Sequence, residues 1–299
     1  MGNGLILAPD RAGAVQVPHP FPYQGSKRRL SGHILEAIGP RPRADFRLVE
    51  PFAGSAAVSL AAAILYPRAR FWLNDAFGPL AELWRHVLHA PAELTDAYAE
   101  LWRDERADAY ERIRERFNSS GEPATLLYLL ARCVKAAVRF NAQGAFNQSP
   151  DRRRRGVAPE RLGKQLCDVS ALLAGRTVIT SRDFGEVLAE TTEDDFVYLD
   201  PPYEGTSSGS DRRYQQGLTR SRLVAEAKRL LGRRVPFALS YDGKLGERSY
   251  GPSLELELGL SPRWLDAGVS SQATLLGARE RTVEALYLSP ALVPRNRKS

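Results

Sequence analysis

The segment Asp195-Phe196-Val197-Tyr198-Leu199-Asp200-Pro201-Pro202-Tyr203 is an apolar run that ends in a carboxylate, two prolines and an aromatic ring. Consecutive prolines fix the backbone and remove two amide donors. The turn therefore presents acceptors: the Asp200 carboxylate and the Pro201 carbonyl can both take hydrogen bonds from one exocyclic NH2, while the Tyr203 ring stacks on the planar base that carries it. An aryl amine is a poor nucleophile because its lone pair is delocalised into the ring. Two acceptors on its hydrogens raise the electron density at nitrogen, and attack on an activated methyl becomes easier. The same four residues can also simply terminate a strand.

Four further segments carry residue types suited to a nucleotide-like ligand. Leu48-Val49-Glu50-Pro51-Phe52-Ala53-Gly54-Ser55-Ala56 passes from a strand pattern through small residues into a helix pattern, where backbone amides can approach a ligand. Leu73-Asn74-Asp75 follows about twenty-five residues after Glu50, and its acid can bond a ribose hydroxyl pair. Arg182-Asp183-Phe184 offers a carboxylate to an adenine amino group and a ring to stack on it. Phe21-Pro22-Tyr23-Gln24-Gly25-Ser26-Lys27 supplies an aromatic ring, a glycine and a cation. Each has a plainer alternative as an ordinary turn, cap or loop. There is no GxGxxG fingerprint and no GK[ST] phosphate loop, which weakens NAD and ATP readings. Cys133 and Cys167 have no zinc spacing and form no disulfide framework. His86 and His89 lack further ligands at useful spacing, so no metal is expected.

These residues must be held by the elements around them. Apolar runs at Phe46–Phe52, Phe71–Asn74, Thr177–Thr180, Phe196–Leu199 and Phe237–Tyr241 read as buried parallel strands. Helical patterns at Ser55–Tyr66, Pro79–Leu88 and Arg220–Leu231 alternate with them. Alternating strand and helix predicts a doubly wound, Rossmann-like α/β sheet, mostly parallel, with Glu50, Asp75, Asp183 and Asp200 at the carboxyl ends of strands. Trp264–Ser271 and Thr282–Ser289, joined by a link containing Gly277, predict a C-terminal antiparallel hairpin on the sheet edge.

Between the second and third strands, residues 91–175 form an insertion. One amphipathic helix is expected after Pro91, with apolar positions from Leu94 to Phe117, and a second from Ala124 to about Arg139. The run Arg139–Asn147, with Phe140 and Phe146 flanking Gly144, fits a small hairpin. Arg152 to Arg155 follow it directly. Trp72, Trp84, Trp102 and Trp264 are expected in the core, and so is Cys133.

With 299 residues, 43% apolar and 26% charged, the chain is in the globular range. Forty-two Lys plus Arg against thirty-five Asp plus Glu leave a net charge of +7, which suits a polyanionic partner. The longest uncharged stretch, Pro51–Pro67, is too short and too interrupted for a membrane span. No secretory signal is visible, so a soluble protein in the cytoplasm is expected, with residues 1–18 as a loose arm and 294–299 as a frayed tail.

In their order along the chain, Phe21–Lys27, Glu50–Ala56, Leu73–Asp75, Asp183–Phe184 and Asp200–Tyr203 resemble the motifs of the Dam-like, D12-class (group alpha) DNA adenine-N6 methyltransferases. Arg139–Gln148 resembles that family's DNA-entering hairpin, Ala238–Tyr241 its late strand, and Arg281–Leu286 its penultimate-strand pattern. The resemblance implies a site-specific enzyme that uses S-adenosylmethionine, without metal, to methylate N6 of an adenine flipped out of double-stranded DNA. It implies a cofactor pocket lined by Tyr23, Gly25, Lys27, Glu50, Pro51, Phe52, Gly54, Ser55, Asp75, Asp183, Phe184 and Asp200, and a catalytic turn at Asp200, Pro201, Pro202 and Tyr203. Residues 19–90 and 176–292 would form the methyltransferase domain, and 91–175 the target-recognition insertion. DNA contacts would come from Arg139, Phe140, Asn141, Gln143 and Asn147 in the hairpin, with Phe140 as a wedge, and from Arg152, Arg153, Arg154 and Arg155 on phosphates. The segment from Gly205 to Tyr214 would close over the target strand; it and the four-arginine run each have a plainer alternative as a solvated surface loop. A cognate restriction endonuclease is a compatible partner. Cytosine N4, RNA adenine or a protein amide remain alternative acceptors for such a turn, and a DNA-binding module without turnover is a different class again. Ala56, Leu218 and Tyr241 depart from the family's usual residues.

Overall fold

The computed structural model describes residues 17–39, 45–202, 218–241, 244–245, 248–249, 254–269 and 281–292. Tyr203, the 205–214 segment, residues 1–16 of the expected arm, Gly277 and the 294–299 tail lie outside the described residues.

The strands are β1 (Arg47–Glu50), β2 (Arg70–Asn74), β3 (Thr177–Thr180), β4 (Asp195–Leu199), β5 (Phe237–Ser240), the two-residue β6 (Lys244–Leu245) and β7 (Arg248–Ser249), β8 (Pro262–Val269) and β9 (Arg281–Leu288). They join in one sheet ordered β3-β2-β1-β4-β5-β9. The first five are parallel, and β9 runs antiparallel to β5. β8 and β9 form the expected antiparallel pair, and β6 extends β5's side of β9 at Val283 and Thr282. The chain leaves β1 toward β2 and β3, and leaves β4 toward β5. A crevice therefore opens at the carboxyl ends of β1 and β4, where the winding reverses.

Period-two alternation explains why both faces are covered. Leu48, Phe71, Leu73, Phe196 and Tyr198 face one apolar cluster, while Val49, Trp72, Val197, Leu199, Phe237 and Leu239 face another. The first cluster takes in α1 (Ser31–Ile38), α2 (Ala57–Leu65), α3 (Gly78–His89), α4 (Pro91–Trp102), α5 (Ala109–Ser120), α6 (Pro123–Arg132) and α7 (Pro159–Leu173). The second takes in α8 (Phe184–Ala189), α9 (Arg220–Gly232) and α10 (Glu255–Leu258).

Four expectations are corrected. The single helix expected after Pro91 is two, α4 and α5, because Asp104 turns the chain by accepting from the Arg106 amide at 3.2 Å and from its guanidinium at 2.8 Å. The helix expected to reach Arg139 stops at Arg132. There Cys133 becomes extended and bridges Pro150, and Lys135 and Ala136 take left-handed φ of 60° and 51°. β3 is parallel but not buried: it is the edge strand, and Val178 is 59% exposed. Trp264 is not core but 48% exposed, because among the described strands β8 pairs with β9 alone. Trp84, Trp72 and Cys133 are buried as expected.

Candidate active site at the ends of β1 and β4

The turn after β4 puts Asp200 beside Lys27, from the loop that precedes α1. Lys27 Nζ is 3.1 Å from Asp200 Oδ1 and 3.3 Å from Glu284 Oε1, with the side chains only 7%, 19% and 15% exposed. The ammonium also reaches the Gly25 carbonyl at 3.4 Å. Burial raises the Asp200 carboxyl to about 6; Lys27 opposes the rise and the Glu284 charge adds to it. At the end of β1, Glu50 is buried and accepts the Ser59 amide at 2.7 Å. Burial pushes this acid up to about 7, against the Ser59 hydrogen bonds, and the Asp200 charge contributes. Behind Asp200, the buried Tyr198 hydroxyl pairs with Ser240 Oγ at 2.8 Å. Buried carboxylates with a shared cation form an anionic pocket, suited to a positively charged ligand and to an amine that needs acceptors.

The turn from β1 into α2 is built on close approach. Gly54 has φ of +48°, and a Cβ there would sit 3.1 Å from the Tyr23 ring. The Gly54 amide donates to Asp75 Oδ2 at 3.1 Å, and its carbonyl accepts from Trp84 Nε1 at 2.8 Å. Ser55 Oγ donates to Ser26 Oγ at 2.7 Å, tying this turn to the loop that carries Tyr23, Gly25 and Lys27. Asp75 also accepts the Phe77 amide at 3.0 Å. Pro51 is buried and Phe52 half-buried.

Phe52 packs against Phe184 with centroids 5.2 Å apart, so the ends of β1 and β3 share an aromatic floor. Asp183 caps α8 through the Gly185 amide at 2.9 Å, and Arg222 of α9 grips both carboxylate oxygens. Burial would raise this acid, but Arg222 and the Gly185 amide outweigh it and hold it below the usual carboxylate value. The Arg222 guanidinium lies over the Phe184 ring, 4.6 Å from its centroid.

The expected hairpin forms: Phe140 bridges Phe146, the Asn141 amide donates to Ala145 O at 2.9 Å, and Gly144 turns the chain at φ +83°. The Gln24 amide donates to Ala136 O at 3.0 Å, joining the approach to this hairpin to the loop of Lys27. Asn141 Oδ1 accepts from the Gln143 and Ala145 amides, both at 3.0 Å, so it braces the turn. Phe140 packs edge-on against Phe77 at 5.3 Å and Phe146 at 6.3 Å; the ring read as a wedge is part of the hairpin's packing. Gln143 and Asn147 are exposed and Arg139 half-buried. Arg152, Arg153, Arg154 and Arg155 are exposed; Asp151 pairs with Arg153 at 3.0 Å, and Arg155 pairs with Glu105 at 3.0 Å while lying over Trp102.

A family model for D12 class N6 adenine-specific DNA methyltransferases matches residues 23–230, from the loop of Lys27 through the Asp200 turn into α9. The chain belongs to this family. Among its relatives are the retron Ec67 DNA adenine methylase of Escherichia coli, 30% identical over 62% of this chain and 64% of that one, and the type II methyltransferase M1.LlaDCHI of Lactococcus lactis subsp. cremoris, 26% identical over 60% and 64%. The DNA adenine methylase of Vibrio cholerae is 27% identical over 54% of this chain and 57% of its own. The match thus spans less than two thirds of each of these relatives.

In this D12-class chain, several residues stand at the site that the sequence did not single out. Glu284 reads in the sequence only as the acid of the Arg281–Leu286 pattern, with no role at the site. Asn74, 1% exposed, donates to Pro51 O and Arg182 O, both at 3.0 Å, and accepts from Thr180 Oγ1 and the Arg182 amide at 2.7 and 2.9 Å. It therefore fastens together the ends of β1, β2 and β3. Trp84 and Arg222 look like packing and surface residues until their partners are known. Among the described residues, no group of three or more His, Cys, Asp or Glu side chains is arranged to hold a metal, and no helix is long and apolar enough to cross a membrane.

Proposed function

We propose that this chain methylates N6 of an adenine extruded from double-stranded DNA, at a specific sequence, using S-adenosylmethionine. The observation that carries the proposal is the acceptor turn at Asp200, braced by Lys27 at the reversal of a D12-class sheet. The cofactor fits the residues present: Gly54 lets the β1–α2 turn come close to the Tyr23 ring, acids stand at the strand ends, and Phe52 and Phe184 supply apolar faces. Tyr23, Gly25, Lys27, Glu50, Pro51, Phe52, Gly54, Ser55, Asp75, Asp183 and Phe184 would hold it, together with Asp200. When bound, it supplies an activated methyl on a sulfonium sulfur.

Asp200 and the Pro201 carbonyl accept the two amine hydrogens, orient the nitrogen lone pair and raise its electron density. Lys27 fixes the carboxylate. Pro202 stiffens the turn, and Tyr203 stacks on the everted base. Gln143, Asn147, Arg139 and the free face of Asn141 read base edges, and Arg152 to Arg155 bind phosphates. The chain would act in the cytoplasm. A cognate restriction endonuclease is part of the proposal, supported by relatives named a type II methyltransferase and a modification methylase.

Modification-sensitive sequencing of DNA from cells that express the protein should show N6-methyladenine in one sequence context. Asp200→Ala should abolish it, with cofactor binding partly retained in calorimetry. N4-methylcytosine, or methylation that persists in Asp200→Ala, would overturn the proposal.

A further inference from the structure

Lys27 is held by two carboxylates from opposite parts of the chain. Asp200 belongs to the turn after β4; Glu284 belongs to β9, which lies beyond β5 in the sheet. The two oxygens approach the ammonium almost equally, at 3.1 and 3.3 Å. Glu284 Oε2 is buried and has no hydrogen-bond partner among the described residues. A buried carboxylate oxygen without a donor weakens the fold, so its presence beside the acceptor turn calls for a role.

We propose that Glu284 is a positioning residue for Asp200: by sharing the Lys27 ammonium, it keeps that cation from neutralising the carboxylate that must accept the target amine. This inference rests on the methyl-transfer proposal above. A lone Lys27–Asp200 pair would draw the carboxylate's electron density toward the ammonium and lower its proton affinity. A second carboxylate pulls the ammonium the other way and repels the Asp200 charge. The charged and titratable groups around Asp200 are Lys27 from the loop, Glu284 from β9, Tyr198 from β4 and Glu50 from β1. Among the described residues, Lys27 is the group that favours the ionised form. Loss of the Glu284 charge therefore lets Asp200 ionise more easily and accept more weakly.

The test compares Glu284→Gln with Glu284→Asp. The Asp200 carboxyl carbon, followed by 13C NMR and assigned with Asp200→Asn, should titrate at lower pH in the Gln variant and close to wild type in the Asp variant. Single-turnover methyl transfer to duplex DNA should fall about tenfold in the Gln variant. Its acid limb should move to lower pH, while cofactor affinity measured by calorimetry holds. An unchanged Asp200 midpoint in a folded Gln variant overturns the inference. If the Gln variant does not fold, Glu284→Ser, whose smaller side chain leaves room for water beside Lys27, is compared with wild type, and the Asp200 midpoint should again be lower in the variant. Equal midpoints overturn the inference there too. A wild-type protein that transfers no methyl to DNA refutes the proposed function, while the NMR comparison still decides the role of Glu284.

Discussion

Glu50 shows how one carboxyl can link the site to stability. Its folded-state value of about 7 lies above the ordinary 4.5, so the folded protein favours the protonated form. The resulting contribution is complete below the ordinary value and is lost as pH rises through 7. Glu50→Gln keeps an oxygen for the Ser59 amide and cannot ionise. Denaturant unfolding should therefore show the Gln variant gaining on wild type between about pH 5 and pH 8, by on the order of 1–3 kcal/mol. No gain at the higher pH would mean that the acid is not held neutral. Glu50 and Asp200 were legible in the sequence because each closes an apolar strand with a proline after it. Glu284 was legible only as the acid of the Arg281–Leu286 pattern; its pairing with a residue 257 positions away was not, because no local pattern encodes it.

At the scale of elements, the strands were legible because four or five consecutive apolar residues have few other uses in an α/β chain. The two helix ends that differ from expectation depend on partners the local sequence does not specify. Asp104 forms its turn with Arg106, and the left-handed Lys135 and Ala136 are fixed by pairing of the Cys133–Val134 stretch with Ser149 and Pro150. Asn74 is the element-level equivalent of a rivet. Asn74→Ala strands the carbonyls of Pro51 and Arg182 and the Arg182 amide in the interior, and should cost about 2–4 kcal/mol in chemical denaturation. It should weaken cofactor binding as well, because it frees the loops that carry Glu50 and Asp183. Wild-type stability in this variant would show that the three strand ends are held by other means.

For the whole molecule, the net charge of +7 is an average over an anionic pocket and basic surface stretches such as Arg152–Arg155. Replacing Arg152, Arg153, Arg154 and Arg155 with Gln should flatten the salt dependence of DNA affinity, by up to about 0.9 in log–log slope for each phosphate that is no longer neutralised. The methylated sequence should stay the same, since phosphate contacts carry no base information. A changed sequence context would move those arginines from backbone anchoring to base reading. The Gln24–Ala136 hydrogen bond, which joins the loop of Lys27 to the approach of the hairpin, is made by main chain alone. Exchange of side chains along the hairpin leaves such a seam intact. If the hairpin addresses the target as proposed, new target words can thus evolve, or be engineered, without re-machining the chemistry they direct.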